Sequence, residues 1–118
     1  FQNLTGNYGK IKVELIRSLK ELMHEGSRMR HCIATYDDII IRKQYIGFRV
    51  YNKNNGERLT LGCYRAENSN ELYFNQLKGP GNYPANKDSC VAILDFCKEK
   101  DIKIPESEVY DLMPAFRD

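Results

Sequence analysis

The sequence predicts an α+β domain of order ααβββα: two helices, a three-stranded antiparallel meander and a C-terminal helix, with the helices covering one face of the sheet. Three observations predict it. Apolar residues recur at helical spacing over residues 10–24 and again from Met29, two β-rich runs flank Asn55-Gly56, and a third helical stripe runs through Cys90 and Cys97.

Residues 1–9, with Asn3, Thr5, Gly6, Asn7 and Gly9, read as a polar lead-in. Ile11, Leu15, Leu19 and Leu22, flanked by Ile16 and Met23, then set an apolar stripe opposite Lys12, Glu14, Arg17, Lys20 and Glu21, which predicts a first helix over 10–24 stopped by Gly26. Ser27 is the expected N-cap of a second helix over about 28–38, in which Met29, Cys32, Ile33, Tyr36 and Ile40 keep the stripe. Between 45 and 65 the spacing predicts a hairpin with Asn55 and Gly56 as a two-residue turn. That register sets Phe48 opposite Cys63 and Val50 opposite Leu61 on a core face. Arg49 opposite Gly62, Tyr51 opposite Thr60, Lys53 opposite Arg58, and Tyr64 beside Gly47 then share a basic, aromatic face. Residues 71–77 add a third strand, with Leu72, Phe74 and Gln76 on one side, ending in the turn Gly79-Pro80-Gly81-Asn82. A third helix starts near Asn86 or Asp88 and is closed by Lys98 and Lys100. Over 102–118, a C-terminal extension, Pro105 opens a short helix that Pro114 ends.

At 118 residues the chain is expected to be one domain, long enough to bury about two-thirds of its unfolded surface. It begins at Phe1 without a charged-then-apolar leader, which reads as a processed chain or a domain cut from a longer one. No apolar run approaches the roughly 20 residues of a spanning helix, so no membrane partner is expected. The net charge of +2 conceals an asymmetry: residues 1–65 hold 12 Lys and Arg against 6 Asp and Glu, and residues 66–118 hold 6 against 10. The basic half favours a polyanion or an acidic partner. Cys32, Cys63, Cys90 and Cys97 each fall where an apolar side chain is wanted and none forms a C-x-x-C pair, which predicts reduced, buried thiols in a cytoplasmic protein.

The stretch 27–36 crowds Arg28, Arg30, His31, Cys32 and Tyr36 together, and residues 73–82 answer it. Arg30-His31-Cys32-Ile33 with Tyr36, Gly56-Glu57-Arg58-Leu59, and Gln76-Leu77-Lys78-Gly79-Pro80-Gly81-Asn82 together resemble the PcfJ-like family. Ile33 stands where that family usually has valine and Lys78 where it has arginine. The resemblance covers about residues 20–100. It implies a setting, bacterial mobile elements, conjugative plasmids and phage conflict, and does not supply a reaction.

His31 and Cys32 lie about 100° apart on the predicted helix and so do not converge as base and nucleophile. His24 and His31 straddle Gly26, and Asp37 and Asp38 diverge, so neither a metal site nor a cofactor is predicted. What remains is an anion-binding surface. Arg28, Arg30, His31, Arg49, Arg58, Gln76, Lys78 and Asn82 supply contacts to phosphates or bases, and Tyr51 and Tyr64 offer rings for unpaired bases. The leading expectation is a nucleic-acid-binding accessory domain for RNA or single-stranded DNA. A metal-independent nuclease or phosphotransfer effector is the second, with His31 as acid or base and Tyr36 or Gln76 orienting. The third is an interaction or inhibitor module within a larger protein complex. The first two need the second helix to bring His31 beside Gln76 in one polar pocket.

Overall fold

The computed structural model describes residues 5–16, 45–66 and 69–116. They form a six-stranded mixed sheet rather than the predicted three-stranded meander: β1 (Gly6–Tyr8), β2 (Ile11–Leu15), β3 (Tyr45–Asn52), β4 (Arg58–Arg65), β5 (Leu72–Lys78) and β6 (Ile102–Lys103). The strands neighbour one another in chain order, antiparallel except for the parallel pair β5 and β6. Parallel neighbours need a crossover, and α1 (Lys87–Glu99) supplies it.

The predicted first helix is overturned where it is described. Ile11 and Val13 are buried while Lys12 between them is exposed, a period of two, and β2 pairs Val13 with Val50 and Leu15 with Phe48. The polar lead-in contains β1, joined to β2 through Gly9 and Lys10, with Gly9 at φ +66. Ile11 and Leu15 fit a helical stripe and a strand alternation equally; the exposed backbone of β3 decides for the strand. The predicted second helix lies outside the described residues.

The β3–β4 hairpin keeps its predicted faces but shifts register by two residues. Phe48 faces Leu61, Val50 faces Leu59, Arg49 faces Thr60 and Tyr51 faces Arg58. The loop is four residues, closed by Asn52 N–H donating to Glu57 O, and Gly56 alone has a left-handed φ, of +76. A two-residue type I′ turn needs positive φ at both central positions. Instead Asn52 Oδ1 accepts from Asn54 N–H and Asn55 Oδ1 from Glu57 N–H, which stabilises the longer loop.

One sheet face carries the core. Phe48, Val50, Leu61, Cys63, Phe74 and Leu77 meet Cys90, Ile93, Phe96 and Cys97 of α1, and Phe96 packs edge-on to Phe48 with centroids 5.3 Å apart. Asn86 caps α1 by accepting from Ser89 N–H. After β6, residues Glu106–Phe116 form a 3-10 stretch that contains Pro114 instead of ending before it, and Leu112 drives it into the core.

Candidate functional site

The face away from α1 is laid out by strand register in four rows. Lys12, Tyr51 and Arg58 form the first; Glu14, Arg49, Thr60 and Lys78 the second; Gly47, Gly62 and Gln76 the third; Tyr45, Tyr64, Tyr73 and Lys103 the fourth. Six residues singled out in the sequence, Arg49, Tyr51, Arg58, Tyr64, Gln76 and Lys78, therefore share one face. Arg28, Arg30, His31 and Tyr36 lie outside the described residues, as does the expected pocket between His31 and Gln76.

The middle of this face is closed and so is Tyr45 in its fourth row, while Tyr51 at one end is exposed and Tyr64 and Tyr73 at the other are half-buried. Tyr45, Thr60 and Gln76 are all buried, with Gly47 and Gly62 beside them. Tyr45 lies across Gly62, where an added Cβ would sit 2.8 Å from its Cζ, and its hydroxyl donates to Asn75 Oδ1 at 3.3 Å. Gln76 reaches this face because β5 bulges: Gly62 pairs with Gln76 but Cys63 pairs with Phe74, leaving Asn75 as the extra residue. The predicted alignment of Gln76 with Phe74 on the core side is thereby corrected. Gln76 is an interior amide, not a surface contact.

At the open end of β2, β3 and β4, the Arg58 guanidinium stands 5.7 Å from the centroid of the Tyr51 ring, which is 40% exposed. Lys12 flanks the same ring in register from the other strand, holding Glu14 at 3.2 Å. At the opposite end Tyr64 and Tyr73 stack with centroids 5.4 Å apart and planes 9° apart. Tyr73 donates to Glu71 at 3.0 Å, a bond that raises its pKa.

Two further candidates are already engaged. Lys78 Nζ is 2.7 Å from Asp111 Oδ1, while Asp111 Oδ2 accepts the Leu77 N–H at 3.0 Å, so this ammonium serves the junction of β5 with the 3-10 stretch. Asn82 sits at φ 63 in the turn after β5. That turn satisfies its own donors: Gly79 N–H bonds Tyr83 O, Asn82 N–H bonds Gly79 O and Tyr83 N–H bonds Pro80 O. It has little backbone left to offer a phosphate.

Nucleophile chemistry finds no support among the described residues. Burial pushes the Cys90 and Cys97 thiols up to about 12 and Cys63 well above its ordinary value, so all three stay protonated. No group of three or more His, Cys, Asp and Glu side chains gathers among the described residues, and no helix there is long and apolar enough to cross a membrane. Sequence reasoning missed Lys12 and Tyr73. Each alternates with buried neighbours, Ile11 and Val13 or Leu72 and Phe74, and that alternation was the available signal.

These features define a mixed-sheet domain with a crossover helix on one face and a tyrosine-bearing, cationic opposite face. The chain belongs to the PcfJ-like protein family, whose family model matches residues 2–91, a span that takes in β1 to β5 and the start of α1. Comparison with curated proteins and with solved structures found no match.

Proposed function

We propose that this chain is a nucleic-acid-binding accessory domain that takes RNA or single-stranded DNA on the sheet face opposite α1, within a bacterial mobile-element or phage-defence system. The observation that carries the reading is the row of Lys12, Tyr51 and Arg58, an exposed ring held in register between two cations. An unpaired base stacks on such a ring while flanking cations meet the phosphates on either side; a duplex, whose bases already stack on one another, gains nothing from it. The mobile-element setting rests on the resemblance to the PcfJ-like family. The buried, protonated thiols fit a cytoplasmic location.

Binding of a labelled single strand, followed by anisotropy across a range of salt, tests the reading. Affinity is expected to fall linearly with log salt, by about 0.7 per phosphate neutralised, and Arg58→Ala is expected to reduce that slope by about one contact. Binding that is absent, independent of salt, or unchanged in Arg58→Ala and Lys12→Ala would remove the proposal.

A further inference from the structure

A cleft of about 440 Å³ opens between the β1–β2 turn, the β3–β4 loop and the first half of α1. Its size is that of a small-ligand site, in the range of roughly 300–1,000 Å³. Strand register fixes its relation to the cationic row. Ile11 and Asn52, which line the cleft, form the pair next to Lys12 and Tyr51, with their side chains on the other face of the sheet. A chain lying across Tyr51 reaches the cleft by passing over the loop that carries Lys53 and Asn54.

The lining is suited to a flat, polar-edged ring. Ile11 and the half-exposed Val91 give apolar surface. Asn52 is 1% exposed and held by a bond from its Nδ2 to Ser89 Oγ and one from Asn54 N–H to its Oδ1, which fixes the floor of the cleft. Asp88 and Asp95 lie two turns apart on the face of α1 that borders the cleft, and neither has an ion pair among the described residues. Lys10 stands at the turn on its lip.

We infer that this cleft holds a nucleobase turned out of the bound strand, and that it selects bases with an exocyclic amino group. Carboxylates accept from an exocyclic amino group and meet a carbonyl acceptor at the corresponding position of thymine or uracil. Ile11 and Val91 take the ring face, and Lys10 on the lip meets the adjoining phosphate. This inference rests on the nucleic-acid reading of the Lys12, Tyr51 and Arg58 row.

The test compares a labelled single strand of cytosines with one of thymines, of equal length, against the whole 118-residue chain. The cytosine strand is expected to bind about tenfold more tightly. Val91→Phe, which fills the cleft from an exposed position, and the double variant Asp88→Ala, Asp95→Ala are each expected to abolish the preference while sparing thymine-strand affinity. Arg58→Ala is expected to weaken both strands alike. Equal affinities in the wild type, or a preference that survives both cleft variants, would overturn the base site and leave the row standing. Failure to bind either strand would overturn both.

Discussion

Ser89 ties the sheet to the helix through one oxygen. Its hydroxyl donates to Glu57 Oε1 at 2.5 Å and accepts from Asn52 Nδ2 at 3.3 Å, while Glu57 Oε2 accepts the Asn86 N–H. The start of α1 is thus already served by a carboxylate of the chain itself, which occupies the place an external anion would take there. Ser89→Ala strands a buried amide and is expected to cost about 1–3 kcal/mol, read as a lower urea midpoint at unchanged slope; an unaltered midpoint would show the network to be dispensable. Gly62 makes a second point: a methyl group there must displace the Tyr45 ring, so Gly62→Ala is expected to destabilise by about 1–3 kcal/mol in the same assay. The thiols give the pH dependence. Unfolded cysteines lose their protons near about 8.5, whereas Cys90 and Cys97 keep theirs to about 12. Between those values the unfolded state binds fewer protons, so the thiols make stability fall as pH rises. A pH series of urea melts from about pH 8 upward should therefore show stability falling; stability rising through this window would contradict the burial of these groups. Placing the three described cysteines in the core needed only the apolar stripes and strand alternation. Placing Gln76 needed the bulge at Asn75, and one unpaired residue leaves no mark in a hydrophobic pattern.

At the scale of elements, what was legible followed from local chemistry. The cap Asn86 and the stripe of Cys90, Ile93 and Cys97 give α1 nearly to the residue, and the strand character of 45–65 and 71–77 is plain in β-branched and aromatic residues. Elements that depend on distant partners were not legible. β2 is a strand because β3 offers it an edge, and β6 is two residues long, held by Leu72 and Tyr73 from across the crossover. The hairpin slip has a similar origin: Asn55-Gly56 announces a tight turn, but the side chains of Asn52 and Asn55 support a wider loop. Because the slip is two residues, every side chain keeps its face and the cationic row survives with Arg58, not Thr60, opposite Tyr51. The C-terminal stretch is held to β5 by Asp111, which serves both Lys78 and the Leu77 N–H. Asp111→Ala is expected to lower the thermal midpoint by several degrees, consistent with losing about 1–3 kcal/mol. A variant as stable as wild type would mean that Leu112 alone seats this stretch.

The whole molecule divides its surfaces by register. One face of the sheet is sealed by α1 and the 3-10 stretch; the other carries tyrosines and cations at its two ends around a buried middle. The charge asymmetry of the sequence is resolved into position: Lys10, Lys12, Lys53 and Arg58 gather where β2, β3 and β4 meet at one end, and the acidic residues Asp88, Asp95, Glu106, Glu108 and Asp111 belong to α1 and the stretch after it. The proposed nucleic-acid surface at that end is an exposed Tyr51 ring between Lys12 and Arg58. Chemical-shift mapping of the isotope-labelled protein during titration with a short single strand tests it most directly. The largest changes are expected at Lys12, Tyr51 and Arg58 and at the neighbouring Lys53 and Asn54, with Tyr64 and Tyr73 at the far end of the sheet unmoved. Changes confined to Tyr64 and Tyr73, or none on the face opposite α1, would overturn it.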